Sequence, residues 1–414
     1  MNSSTTCPYC FQKAFDGTSC HACGYHKVPR LKDALHPFTI LHDRYRLGVP
    51  LGMGGFGISY MAYDTRLQKR VVIKEYFPKF LKLNREELAS MPIEAVTTYN
   101  HGKMRFKEEA ELLTKLRTYH FEHIISAYDA FDENQNSYYV MDLVEGYSLK
   151  ELSKSYHLSE KTLIEILVKV AKDLSTIHKE LHILHRDISP DNILVDAHMR
   201  PVLIDFGSAK ILDGKQGFSV VLKKHYAPLE QYSKTKLEGP YSDVYALAAT
   251  AYYLLSGHYV QEATMRAMND TQENVRAYNP KVSEQTDRAI MHALEMKIEN
   301  RTPNMDVFIA ELTGHEIKPY VLVGHHKYIV TTQGLSVGRH EDNEIIFKEP
   351  AISKHHFEIM FDQATRLFTI TDFSKNGTFV NGHLLSHQSV SVKAGAVINI
   401  PGILEEIRCE VNDE

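Results

Sequence analysis

A chain of 414 residues has room for about three domains, each able to bury a core of its own. Its 43% hydrophobic and 24% charged residues exclude a mainly disordered chain, and 47 basic against 52 acidic side chains, a net charge of −5, argue against nucleic acid or a membrane surface as the main partner. The longest apolar run, Val244 to Leu255, is too short for a membrane span of about twenty residues, and MNSSTTCPYC has no basic region followed by an apolar stretch, so the expected compartment is the cytosol.

Four of the five cysteines fall at the start of the chain. Cys7 and Cys10 form one CxxC and Cys20 and Cys23 another, so each pair sets two thiolates on one side of a turn and two pairs close the tetrahedron that zinc prefers. The four complete a ligand shell without His21 or His26. The competing reading, a pair of redox disulfides, is disfavoured in a compartment that keeps thiols reduced. The knuckles CPYC and CHACG resemble a short bacterial zinc ribbon, assigned to residues 1–24. Residues 25–43 hold Pro29, Pro37 and mixed charges without an apolar period, which reads as a linker.

The next unit, 44–313, opens with LGMGGFGISY, where Gly52, Gly54 and Gly57 have GxGxxG spacing and let backbone amides approach phosphates. VVIK then brings Lys74 to the end of an apolar strand, and the helix-like FKEEAELLTKL carries Glu109, a carboxylate suited to hold that lysine. Ser159 reads as an N-cap, after which Leu163, Leu167, Val170, Leu174 and Ile177 recur at steps of three and four, an amphipathic helix. It leads into HRDISPDN, with Asp187 and Asn192, and IDFG supplies Asp205. Alone, each is explained by a loop glycine, a surface lysine or a solvated carboxylate; in this order they are not.

Residues 45 to about 313 thus resemble a eukaryotic-type protein kinase domain, an α+β bilobal fold, of the bacterial kind carrying IKEYFP. The resemblance implies that Gly52, Gly54 and Gly57 cover the phosphates of ATP and that Lys74, paired with Glu109, holds the α- and β-phosphates. Asp187 is then the acceptor of the substrate hydroxyl proton, Asn192 and Asp205 hold Mg²⁺, and His185 and Arg186 brace the loop. YYVMDLVEG resembles the adenine hinge, with Met141 at its inner end and the backbone of Leu143 as the contact. Two places depart from the pattern: Ser189 stands where a lysine is usual, and Lys223 where a threonine closes the activation segment. Either Lys223, with Lys224 beside it, returns the missing cation from another loop, or both lysines are merely solvated. Between Asp205 and Glu230 the serines are Ser208 and Ser219 and there is no threonine; Ser219 is the expected acceptor of a loop phosphate that would pair with Arg186.

After the punctuated stretch 314–319, RLFTITD places Phe368 and Ile370 on one face and Thr369 and Thr371 on the other, and NG pairs follow at Asn376-Gly377 and Asn381-Gly382, so the remainder should be all-β. VGRHEDNEI, AISKHHFEI and DFSKNGTFVNG occur in order, and residues 320–414 resemble a forkhead-associated (FHA) domain, a β-sandwich that binds phosphothreonine. By that resemblance Arg339 and Ser353 hold the phosphate, Lys354 and Lys375 add charge, Asn376 bonds the peptide backbone and His356 braces a loop. The sequence therefore reads as a multidomain protein serine/threonine kinase using ATP and Mg²⁺ on protein substrates, with a zinc ribbon and a reader of a phosphothreonine-containing partner. The alternative is a pseudokinase scaffold in which Ser189 marks lost transfer and the last domain does the work.

Overall fold

The computed structural model describes every residue except 1–4, 83, 157, 213–221, 234–237, 315–317, 364, 366, 404 and 413–414. The chain folds as two compact units, Met1–Leu254 and Leu255–Glu414, a division that falls inside the stretch 44–313.

In the first unit, a hairpin of β1 (Thr5–Thr6) and β2 (Lys13–Phe15) surrounds a core of little more than Cys7, Phe15 and Cys20. So small a core needs support from a neighbour or a metal. The sheet that follows supplies some: Val49 N–H donates to the Pro8 carbonyl at 3.0 Å, and the Phe11 ring lies 5.5 Å from that of Tyr63. A Cβ on Gly48 would come within 2.1 Å of the Pro8 oxygen, so only glycine permits this approach.

That sheet is antiparallel, built from β3 (Ile40–Leu41), β4 (Tyr45–Met53), β5 (Gly57–Asp64), β6 (Lys69–Tyr76), β7 (Ala127–Glu133) and β8 (Asn136–Asp142) in the order β3-β4-β5-β6-β8-β7. Ala34 and Leu41 are fully buried in its core, with Leu31 and Leu35 packed against it, so the segment 25–43 belongs structurally to this lobe. Its apolar residues are too irregularly spaced to announce an element, and only some of them pack inward, Val28, Phe38 and Ile40 remaining exposed. Strand β6 alternates as half-buried strands do, with Val71, Ile73 and Glu75 on the core face and Lys74 on the other. Glu75 is a fully buried carboxylate, and it is fully engaged. Arg85, opening α1 (Arg85–Ala89), meets it with two N–H groups at 2.8 Å each, and Tyr60, Tyr138 and Asn136 donate at 2.7, 3.2 and 3.1 Å. Directly after, Phe77 and Lys79 N–H groups bond the carbonyls of Phe56 and Gly55, tying IKEYFPK to the tip of the Gly-rich hairpin.

Helix α2 (Ile93–Arg117) lies against β7 and β8 and carries Glu109. After β9 (Gly146–Ser148), α3 (Leu149–Ser155) starts in a capping box of Ser148 and Glu151. Helix α4 (Glu160–Thr176) starts at the N-cap Ser159, and Leu163, Leu167, Val170 and Leu174 are all buried, as their spacing predicts. A π-turn, Ile177–Leu181, then delivers the chain to β10 (Ile183–Leu184), and the short strands β11 (Ile193–Asp196), β12 (Pro201–Leu203) and β13 (Lys210–Ile211) flank the loop residues 185–192 and 204–209. Helix α5 (Pro240–Ser256) is buried from Val244 to Tyr252, the environment of a core helix, and among the described residues no helix is long and apolar enough to cross a membrane.

The second unit starts with helices α6 (Ala263–Arg266), α7 (Val275–Tyr278), α8 (Glu284–Ala293) and α9 (Met305–Thr313), the last closed by Gly314 at φ 70°. Eleven strands follow, β14 (Lys318–Val323), β15 (His326–Ile329), β16 (Leu335–Gly338), β17 (Ile345–Ile346), β18 (Phe357–Asp362), β19 (Leu367–Asp372), β20 (Thr378–Val380), β21 (His383–Leu385), β22 (Ser389–Val392), β23 (Val397–Asn399) and β24 (Ile407–Asn412). They form sheets of order β15-β14-β24-β23-β20-β21 and β17-β16-β18-β19-β22 around one apolar core. Phe368 and Ile370 point into that core, while Thr369 and Thr371 bond Ser391 and Ser389 across the strands. Asn381 and Gly382, both at positive φ, make the two-residue turn between β20 and β21.

Candidate active site and phosphate-reading loops

Lys74 leaves β6 on the face opposite Glu75 and meets two carboxylates. Its Nζ lies 3.0 Å from Glu109 Oε1 and 3.3 Å from Asp205 Oδ1, and Tyr139 Oη donates to the same Glu109 oxygen at 2.8 Å. Burial disfavours the ammonium, but Asp205 and Glu109 outweigh it and hold Lys74 well above the usual lysine range. Lys74 in turn holds Asp205 below the usual carboxylate range. Gly52, Gly54 and Gly57 close the β4–β5 hairpin, with Ser59 paired to Lys74 across the sheet. Gly57 has a second reason to be glycine, since a Cβ there would meet the Glu75 carbonyl at 2.3 Å. Met141 lies opposite Val72 one residue before the end of β8, and half-buried Leu143 follows the strand.

A second cluster forms on the loop after β10. Asn192 Nδ2 donates to the Asp187 carbonyl at 2.7 Å and to its Oδ2 at 2.9 Å, so the amide oxygen is the group it can offer a cation. Lys223 Nζ sits 3.2 Å from Asp187 Oδ1 and donates to Ser189 Oγ at 2.8 Å. The two departures from the kinase pattern are therefore in contact. Burial raises the pKa of Asp187, with the Lys223 ammonium opposing. His185 is kept neutral by burial; its Nδ1 accepts from Asp187 N–H at 3.2 Å and its Nε2 lies 3.2 Å from the Ile204 carbonyl, so each ring nitrogen has a defined role. Asp243, fully buried at the start of α5, accepts the N–H groups of His185 and Arg186 at 2.8 Å each and contacts His178 Nε2 at 2.8 Å. Ser219 lies outside the described residues, and the partner of Arg186 is the Glu238 carboxylate, at 2.6 Å from Nε and 3.1 Å from Nη2.

Sequence reasoning missed Glu75, Arg85, Tyr139 and Glu238. The only local sign was a glutamate inside an apolar strand at position 75, where burial without a partner is unaffordable.

In the second unit, Arg339 follows β16, exposed, with its N–H and Nε anchored on the Ser353 and Ile352 carbonyls at 2.9 and 3.2 Å. Ser353 Oγ accepts from Lys375 N–H at 3.1 Å, and Asn376 Nδ2 donates to the Ala351 carbonyl at 2.8 Å, so the three loops bearing Arg339, Ser353, Lys354, Lys375 and Asn376 are tied together. Buried His356 braces them through Ser353 N–H and the Gly377 carbonyl, at 3.2 and 3.4 Å. Asp372 accepts from Ser374, Thr378 and His387 N–H, a support the motifs did not reveal.

The sulfurs of Cys7, Cys10, Cys20 and Cys23 lie within 4.8 Å of one another. Cys7 and Cys23 are 3.9 Å apart and Cys10 and Cys20 3.7 Å, close to the edge of about 3.8 Å for four sulfurs at about 2.3 Å from zinc and far beyond an S–S bond of about 2.05 Å. Tyr9 N–H donates to the Cys7 sulfur at 3.4 Å, and although burial opposes ionisation, the N–H groups of Cys23 and Ala22 draw the Cys20 thiol down to about 7. The cluster can hold a metal ion.

Comparison with known proteins agrees with this geometry. The protein kinase domain family matches residues 45–312 and the FHA domain family residues 335–401. "Serine/threonine-protein kinase PknA" of Nostoc sp. is 30% identical over 298 residues, 64% of this chain and 49% of that protein. "Serine/threonine-protein kinase C" of Synechocystis sp. is 33% identical over 240 residues, 55% of this chain and 42% of that protein. The chain thus spans less than half the length of these curated relatives. A solved structure titled "PpkA-294 apo form" superposes with a TM-score of 0.57 at 30% identity, covering 68% of this chain and 99% of that one. More than half of the chain falls within the bounds of one family, and on that ground it belongs to the protein kinase family, with an FHA domain C-terminal to the kinase region.

Proposed function

We propose that this protein transfers the γ-phosphate of ATP to serine or threonine hydroxyls of protein substrates and engages phosphothreonine-containing partners through its FHA domain. The observation that carries the first part is the position of Lys223, whose ammonium stands beside both Asp187 and Ser189 where the fold otherwise uses a lysine of the catalytic loop. It favours catalysis over a scaffold that has lost transfer. Mg²⁺, when bound with ATP, neutralises charge on the phosphate oxygens. Asn192 and Asp205 are the residues to hold it, Lys74 steadied by Glu109 binds the phosphates, and the hairpin of Gly52, Gly54 and Gly57 covers them, with Met141 and Leu143 at the adenine. Asp187, its pKa raised by burial, takes the hydroxyl proton as the hydroxyl oxygen bonds the γ-phosphorus and the bond from that phosphorus to the β-phosphate oxygen breaks, ADP leaving. Arg339 and Ser353 grip the partner's phosphate, Lys354 and Lys375 lend charge, and Asn376 bonds its backbone.

Zinc is the metal that four thiolates at these distances select, and a reducing, cytosolic compartment keeps them available. The kinase reading is tested by incubating the purified chain with ATP and Mg²⁺ and mapping phosphosites by mass spectrometry. Incorporation should vanish in Asp187→Asn; equal incorporation in the two proteins rejects it.

A further inference from the structure

In the catalytic loop, Arg186 is buried, its side chain only 6% exposed, and its backbone sits at φ 68°, a left-handed conformation that a non-glycine residue keeps only when its surroundings insist. Two groups insist from the backbone side: Asp243 Oδ1 accepts its N–H at 2.8 Å and Gln231 Nε2 reaches its carbonyl at 3.5 Å. On the side-chain side, Glu238 presents both carboxylate oxygens to Nε and Nη2 in a parallel fork, itself only 7% exposed. Lys210 Nζ adds a second cation at 3.4 Å from Glu238 Oε1, and Arg186 Nη1 donates to the Ser208 carbonyl at 3.3 Å. The Arg186–Glu238 pair thereby joins three segments: the catalytic loop at Arg186, the start of the activation segment at Ser208 and Lys210, and the approach to α5.

We propose that Glu238 is a positioning residue for phosphotransfer, occupying permanently the place on Arg186 that a phosphate on the activation segment would otherwise take, so that the catalytic loop is aligned without phosphorylation. The inference rests on the kinase reading above. Its logic is charge and space. A buried guanidinium needs an anion, and a bidentate carboxylate supplies it with fixed geometry. With both fork nitrogens taken, a phosphate arriving from the activation segment would have to displace Glu238 and leave two anions in one buried site. Arg186 is adjacent to Asp187, so rotation of its backbone out of the left-handed region would swing the base carboxylate away from Asn192 and Lys223.

The test uses the full chain produced together with a phosphatase, shown by intact mass to carry no phosphate, and follows the initial rate of transfer from ATP to casein. The unphosphorylated wild type should transfer at once, without a lag and without acceleration after preincubation with ATP and Mg²⁺. Glu238→Gln should lower kcat by about tenfold to a hundredfold with little change in the KM for ATP, because the Lys74 cluster is untouched, and Glu238→Asp should restore part of the loss. A lag abolished by preincubation, or full kcat in Glu238→Gln, overturns the proposal. The wild-type lag decides the matter even if Glu238→Gln fails to fold. Asp187→Asn run in parallel separates the two readings: transfer at the wild-type rate there rejects the kinase assignment itself.

Discussion

On the proposed kinase reading, Lys223 supplies from a different loop the cation that the catalytic loop lacks at Ser189. Its Nζ bridges Asp187 and Ser189, 36 and 34 residues away in sequence, and on that reading transition-state charge on the transferring phosphoryl group needs a cation there. Lys223→Ala should therefore lower kcat by about a hundredfold, against a small effect of Lys215→Ala from the same segment. Steady-state rates at saturating ATP check this; equal small losses reject it. The same contact sets a pH signature. As the proposed base Asp187 would work deprotonated; burial raises its pKa and Lys223 opposes the rise, so activity should be lost as pH falls through that raised value. Without Lys223 the pKa climbs further, and the acid limb of the kcat profile should move to higher pH; an unmoved limb would show that the ammonium does not act on Asp187.

At the scale of elements, the glutamate of IKEYFP links β6 to α1 and, through Arg85 Nε on the Asp33 carbonyl at 2.8 Å, to the segment ahead of the sheet. Arg85→Ala leaves the Glu75 carboxylate buried with neutral donors only, and should cost on the order of 3 kcal/mol, read as a lowered Tm. Adding Glu75→Gln to that variant should recover part of the loss; a double variant no more stable than the single one argues against the ion pair as the cause. Among the described residues, the cysteine cluster is supported by the neighbouring sheet only at its edge, through Pro8 and Phe11. Its few core residues bury little apolar surface, so on the proposed zinc reading metal binding should supply much of the folding energy of residues 5–24. Elemental analysis of the reduced protein should find one zinc per chain, lost in Cys20→Ser; protein free of metal would refute the site.

For the whole molecule, the activation segment has no threonine between Asp205 and Glu230, while the FHA loops are expected to select the threonine methyl group. The ligand should then be a phosphothreonine on a second protein, or Thr5 or Thr6 of another copy. Calorimetric titration of the full chain should show a phosphothreonine peptide bound at least about tenfold more tightly than its phosphoserine counterpart, and binding lost in Arg339→Ala, which removes the charge-assisted fork. Preference for phosphoserine, or undiminished binding in that variant, contradicts the assignment. Much of this architecture was legible by reading along the chain, because each feature is local: α4 from its apolar spacing and N-cap, β19 from its alternating faces, the thiolate pairs from CxxC, and Lys74, Asp187, Asn192 and Asp205 from motifs in order. Tertiary structure alone decided that Lys223 touches Asp187, that Glu238 covers Arg186 from 52 residues away, that Arg85 neutralises Glu75, and that Ala34 and Leu41 are core. A charged side chain carries no periodicity naming its partner, and isolated apolar residues set no moment; only the folded chain brings opposite charges or complementary surfaces together, and burial then makes those pairings obligatory.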